Sequence, residues 1–162
     1  QVASLGQLVA DMNDEKVAML LILGGNPVYN TPGDVDFAGA MEKVPYRVHL
    51  SVTNNETSYL CHWLIPEAHY LEAWSDVRGH DGTASIVQPL IQPLYSGKTS
   101  HELMAALLGE QGSGSLSIVQ ASWRARRGGE AFDAFWYDAV STGIVQDSAG
   151  STVKVQHQNQ IL

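Results

Sequence analysis

Cysteine is almost missing from this sequence. Cys61 is the single one among 162 residues, so no internal disulfide can close. Without a Cys-x-x-Cys pair there is no thiolate framework for zinc or an iron–sulfur cluster. Long apolar runs are missing too. The longest, Val17 to Leu23, has the length of a strand, far below the roughly 18–20 residues that span a bilayer. Positive charge is scarce: nine Lys and Arg stand against 17 Asp and Glu, a formal net charge of −8. That balance excludes a nucleic-acid groove, which needs clustered cations against phosphate. The one basic cluster, Arg124, Arg126 and Arg127, reads as a solvated helix end. Four signatures of chemistry are also absent: the G-x-G-x-x-G dinucleotide turn, a G-K-[ST] phosphate loop, H-E-x-x-H and the G-x-S-x-G elbow. No initiator Met and no signal peptide open the sequence, and the expectation is a piece of a longer chain.

What is present is an alternation of helix and strand patterns. Val2, Leu5, Leu8, Val9 and Met12 form one helical stripe. Lys16 to Leu23 then reads as a strand apolar on both faces, as in parallel sheets covered by helices on both sides. It ends at Gly24-Gly25-Asn26-Pro27, where Pro27 bars continuation and the glycines permit a tight turn. A helix is expected from about Asp34, as N-cap, to Lys43. A second strand is expected over Tyr46 to Val52, and a short helix from Asn54 or Asn55 to Cys61. In that helix Glu56 sits near the N-terminus, where the dipole favours a carboxylate. A third strand, Trp63 to Ile65, stops at Pro66.

The expected fold class is therefore α/β, an open and mostly parallel sheet flanked by helices, Rossmann- or flavodoxin-like, with right-handed crossovers. Residues 1–110 form this unit. Leu71 to Gly97 reads as irregular apart from a short strand at Ile86 and Val87. Thr99 or Ser100 caps a helix to Leu108, which Gly109 ends. Gly112-Ser113-Gly114-Ser115 looks like a linker. It leads into a helical extension over 111–162, with helices over Ser117 to Arg126 and Glu130 to Val140 and a polar tail from Gln146.

In open α/β sheets ligands sit beyond the carboxyl ends of the strands. Here that edge carries Gly24-Gly25-Asn26-Pro27, Thr53 to Thr57 and Pro66-Glu67-Ala68. The glycine turn admits close backbone approach to a phosphate, against the plainer reading of a tight strand-to-loop turn. His49, His62, His69, His80 and His101, with Glu67, Glu72, Asp76 and Asp81, raise a metal reading. Their spacing fits no ligand motif, and hydrogen-bonded histidines are the commoner outcome. Cys61 reads as a buried, inert thiol. Tyr70, Trp74, Trp123, Phe132, Phe135, Trp136 and Tyr137 read as an interdomain contact surface.

One ordered series narrows these alternatives: Gly24-Gly25-Asn26-Pro27, Glu56-Thr57, Ile65-Pro66, Leu71-Glu72 and Asp81-Gly82-Thr83. Over about Val2 to Gly109 it resembles the third domain of the molybdopterin oxidoreductases, the dimethyl sulfoxide reductase superfamily. Three further segments, Cys61-His62-Trp63, His69 to Trp74 and Gln88 to Leu94, look like one branch, the iron–sulfur subunit of alternative complex III. The resemblance implies a domain of a respiratory redox subunit in a quinol-oxidising electron-transfer complex on the periplasmic side of the membrane. In that branch the molybdopterin-like part holds no cofactor and acts as a scaffold without its own catalysis. The iron–sulfur clusters lie elsewhere in the parent chain. The implied partners are other domains of the chain and other subunits, without nucleic acid and without direct membrane insertion. In cofactor-bearing relatives the matching positions, Gly24, Gly25, Asn26, Glu56 and Thr57, help hold one arm of molybdopterin guanine dinucleotide. This is the alternative reading. The family usually has Ala-Asp where this chain has Cys61-His62, a change of charge and donor pattern that argues for the scaffold.

Overall fold

A computed structural model describes residues 4–110, 112–128 and 131–151. Helix α1 (Leu5–Asn13) starts at Ser4, whose hydroxyl accepts the Gln7 N–H, and buries the stripe ending in Met12. Val2 and the polar tail beyond residue 151 lie outside the described residues, as does the expected helix start at Glu130. Strand β1 (Met19–Leu23) leads into the single turn α2 (Pro27–Asn30), then α3 (Phe37–Glu42), β2 (Tyr46–Ser51), α4 (Glu56–Tyr59) and β3 (Trp63–Pro66). The N-cap of α3 is Asp36 and not Asp34: Asp36 accepts the Gly39 N–H at 2.9 Å. Pro32 to Val35 close a turn of their own first, with the Val35 N–H on the Pro32 carbonyl.

The three strands form a parallel sheet in the order β1-β2-β3, with Leu20 beside Arg47 and Val48 beside Trp63. Strand order does not reverse among the described residues, so this is a smaller assembly than a doubly wound sheet with its switch point. Its two faces also differ. Leu20 and Ile22 join Met12, Phe37, Ala40, Met41 and Val44 under α1 and α3. Arg47 fastens the end of α3 by donating to the Met41, Glu42 and Val44 carbonyls at 2.8–3.1 Å. The opposite face leaves Met19 46%, Leu23 44%, Tyr46 43% and Trp63 60% exposed. Between them Val48 and Leu50 of the same face are buried, and Ile65 lines a cleft with Leu103 and Ala106, so the second side is covered at its centre and open at its rim.

The stretch expected to be irregular apart from a short strand at Ile86 and Val87 holds an antiparallel hairpin, β4 (Ser75–Arg78) and β5 (Ala84–Val87), the second strand containing both residues. Its turn is built by Asp81, which accepts both the amide and the hydroxyl of Thr83, and by Gly82 at φ +90°. After α5 (Ser100–Leu107), helices α6 (Ser115–Arg127) and α7 (Phe132–Thr142) close over this hairpin. Ala84 and Ile86 form a second core with Val119, Trp123, Phe132, Ala139 and Val145. Packing thus groups β4 and β5 with the helices beyond residue 110. The aromatic residues expected as a contact surface fill this core instead: Trp123 and Phe132 are buried, and Trp74, Phe135 and Trp136 pack against them, leaving Tyr70 and Tyr137 exposed. The arginines ending α6 lie over rings, Arg124 over Phe132 at 4.2 Å and Arg127 over Phe135 at 4.5 Å. The whole is a mixed α/β fold with one small parallel and one antiparallel sheet.

Candidate functional site

The carboxyl ends of β1 and β2 bring the five predicted site residues together. The Gly24 N–H extends the ladder to the Leu50 carbonyl at 2.8 Å, and the chain then turns through Gly24 (φ +67°) and Gly25 (φ +72°). Both dihedrals lie in the left-handed region that a side chain makes costly. No atom stands within 4 Å of where a Gly25 Cβ would be, so this backbone faces open space.

Asn26 follows and points its amide at α4. Its Nδ2 donates to Glu56 at 2.6 Å, and its Oδ1 accepts the Thr57 hydroxyl at 2.8 Å and the Thr57 N–H at 3.3 Å. The Thr57 Oγ1 in turn accepts the Val28 N–H at 3.0 Å. Thr57 is fully buried, so its polar atoms need these partners. Beneath, Asn55 and Ser58 form a capping box at the start of α4. The Asn26 hydrogen bond holds the exposed Glu56 carboxyl below the usual carboxylate range. A second carboxylate, Glu67, follows β3. Its Oε2 lies 3.6 Å from where a Gly24 Cβ would be, and burial pushes its carboxyl up.

This edge fits a phosphate-bearing group poorly. Asn26, Glu56 and Thr57 satisfy one another, and the two carboxylates flanking the turn oppose an anion. What it offers outward is backbone: no acceptor among the described residues takes the N–H of Gly25 or of Asn26.

His62, the departure from the family pattern, lies at the other end of the sheet. Its N–H donates to the Arg47 carbonyl, its Nδ1 accepts the Arg47 N–H at 3.1 Å, and its ring stacks on Tyr46. Four residues of strand, roughly 13 Å, separate it from the edge, so the change to His62 leaves the edge untouched. Cys61 is half-buried, and burial pushes its thiol up. Among the described residues no three His, Cys, Asp or Glu side chains are grouped to hold a metal. His69 is partly buried, its Nδ1 accepting the Leu71 N–H and its ring against that of Tyr70.

The sequence marked His49 only as a candidate metal ligand and did not show that it belongs to this edge. It is completely buried in β2, directly behind the turn. A polar residue inside an otherwise inward apolar strand was the available signal. Asn55 and Ser58, at capping-box spacing, were a second.

No family model matches the chain. The menaquinone reductase molybdopterin-binding-like subunit of Nitratidesulfovibrio vulgaris is 31% identical over 97 residues, covering 57% of this chain and 14% of that protein. Among solved structures, acetylene hydratase from Pelobacter acetylenicus superposes with a TM-score of 0.55 at 17% identity, over 64% of this chain and 15% of that one. The matched region is thus about a seventh of the length of each.

Proposed function

We propose, from the premise that this chain carries a domain like those of the molybdopterin oxidoreductases, that it is a scaffold domain of a respiratory redox subunit, without chemistry of its own. The observation that carries this reading is the closed network at the strand ends. Asn26, Glu56 and Thr57 spend their hydrogen bonds on each other, and a site whose polar groups are already paired has little to offer a cofactor. The name of the Nitratidesulfovibrio relative, a molybdopterin-binding-like subunit of a menaquinone reductase, accords with a domain that keeps the architecture of a cofactor site. The parent assembly is then quinone-linked, and the resemblance to alternative complex III argues for quinol oxidation at the periplasmic face. Iron–sulfur clusters in the rest of the parent chain would carry the electrons. The exposed sheet rim of Met19, Leu23, Tyr46 and Trp63 is where other parts of the chain or neighbouring subunits would dock, since parallel sheets are ordinarily covered on both faces.

Metal and pterin analysis of the full-length protein tests the scaffold reading directly. Iron without molybdenum or tungsten and without pterin is the expected result; stoichiometric pterin overturns it. The second reading, binding of one molybdopterin guanine dinucleotide arm, is favoured by the unpaired N–H groups of Gly25 and Asn26. Titration of the isolated chain with GMP decides between them at the amide level. Saturable shifts at Gly25 and Asn26 at micromolar nucleotide support the second reading. Their absence supports the first.

A further inference from the structure

Glu67 is a carboxylate without a partner. It stands directly after β3, where its N–H donates to the Ser51 carbonyl. Its side chain is partly buried and makes no hydrogen bond or ion pair among the described residues. Burial acts on its carboxyl, unopposed, in the direction that disfavours the charge. Two other carboxylates in this region are engaged. Glu72 accepts the His69 N–H at 3.1 Å, and Glu102 accepts the Thr99 N–H at 2.8 Å. Lys98 is bridged to Glu67 through the backbone, yet the two form no ion pair, and Lys98 lines two other clefts. A half-buried charge left unpaired is costly, and an opposite charge from a partner relieves it.

Glu67 lines a cleft of about 290 Å³ with Val52, His69, Tyr70, Ser100 and His101. That is many times the roughly 30 Å³ of one water, enough for a side chain. One wall is aromatic: the Tyr70 ring is 64% exposed and stands against the His69 ring with centroids 4.2 Å apart. We propose that this cleft takes an arginine side chain of a neighbouring polypeptide in the parent assembly, its guanidinium paired with Glu67 and laid against Tyr70. Arginine suits it better than lysine. A planar fork matches both carboxylate oxygens, stacks on a ring and sheds water more readily than an ammonium. The net charge of −8 draws a basic partner towards the chain. The carboxylate that opposes an anion at the strand ends is here the attractive element. The inference adds a partner to the scaffold reading and rests on its premise of a larger assembly. Its test uses this chain alone, so the metal and pterin analysis can overturn the scaffold while this pairing stands.

Nuclear magnetic resonance of the isotope-labelled chain tests this, with N-acetylarginine amide as probe and N-acetyllysine amide beside it. The arginine probe should give saturable shifts at the Val52, Ala68 and Ser100 amides at millimolar concentration, and the lysine probe weaker ones. The Glu67 carboxyl carbon should titrate above the ordinary Glu value in the free chain and move down when the arginine probe is bound. In Glu67→Gln, which keeps the shape, the amide shifts should be lost. Tyr70→Ala should weaken binding about two- to fivefold, the worth of a cation over an exposed ring. No saturation with the arginine probe, shifts that persist in Glu67→Gln, or equal binding of the two probes each overturn the proposal. So does binding that appears only after Lys98→Gln, because Lys98 would then already fill the place. The reporting amides are not those of Gly25 and Asn26, so the result is read separately from the nucleotide titration.

Discussion

At the residue scale, Thr57 shows how one side chain serves two purposes. Its hydroxyl donates to Asn26 and accepts from Val28, so it joins the first turn to the helix after β2 while fully buried. Thr57→Val keeps the shape, strands the Val28 N–H and removes one of the two donors to Asn26 Oδ1, at an expected cost of about 1–3 kcal/mol in urea unfolding. Asn26 keeps its bonds to Glu56 and from the Thr57 N–H, so its side-chain amide signals should shift without being lost. His49 makes a second prediction, about pH. Burial lowers its proton affinity in the folded state, so below the ordinary histidine midpoint of about 6.5 the unfolded chain binds more protons. Stability is complete above that pH and falls as acid takes the solution from about 6.5 down towards the lower folded midpoint. Unfolding midpoints measured across this window should slope in the parent chain and flatten in His49→Gln.

Elements were readable in the sequence to the degree that local chemistry decides them. The start of α5 at Thr99 or Ser100, which proves to be Thr99, and the three parallel strands with their stops at Gly24 and Pro66, follow from cap residues and breakers. The Asn26–Glu56–Thr57 meeting was legible only as membership of one strand-end edge, because its hydrogen bonds cross 30 and 31 positions. Of the β4–β5 hairpin only Ile86 and Val87 were legible as strand, because its strands have four residues each and exposed polar positions dilute the alternation. The Asp81-Gly82 pair was its signal. Gly82 also meets the chain again much later: a Cβ there would lie 2.6 Å from the Gly150 nitrogen, at φ +90°. Gly82→Ala is therefore expected to cost more than the roughly 1–2 kcal/mol of a left-handed residue alone. Faster hydrogen exchange at the Gly150 amide, which donates to Asp81 at 2.7 Å, would report the loss; unchanged protection would count against this packing.

For the whole molecule, composition could not tell which apolar residues face one another. Aromatic enrichment beyond residue 110 read as surface and proved to be core, because Trp123, Phe132 and Phe135 need the hairpin's Ala84 and Ile86 to be buried. Part of the exposed apolar surface lies on the sheet, at the rim of a face whose centre, Val48 and Leu50, is buried. Met19→Ser combined with Trp63→Ser should leave the fold intact, since both side chains are largely exposed. It should also reduce self-association and abolish reassembly with the remainder of the parent chain, read by size-exclusion chromatography with light scattering. Equal assembly by parent and double variant would remove this face from the docking proposal.

The contact between the hairpin and the last helices has one more consequence. The Val145 N–H pairs with the Ala84 carbonyl at 2.8 Å, Arg78 reaches the Ser148 carbonyl, and Trp74 and Trp136 pack ring to ring. All of these join residues on either side of Gly112 to Gly114, and a break in the backbone there leaves them in place. Two separately expressed pieces divided there should complement one another in solution, restoring the near-ultraviolet signal of the tryptophan cluster on mixing, as covalent continuity at that point contributes only the entropy of a tether.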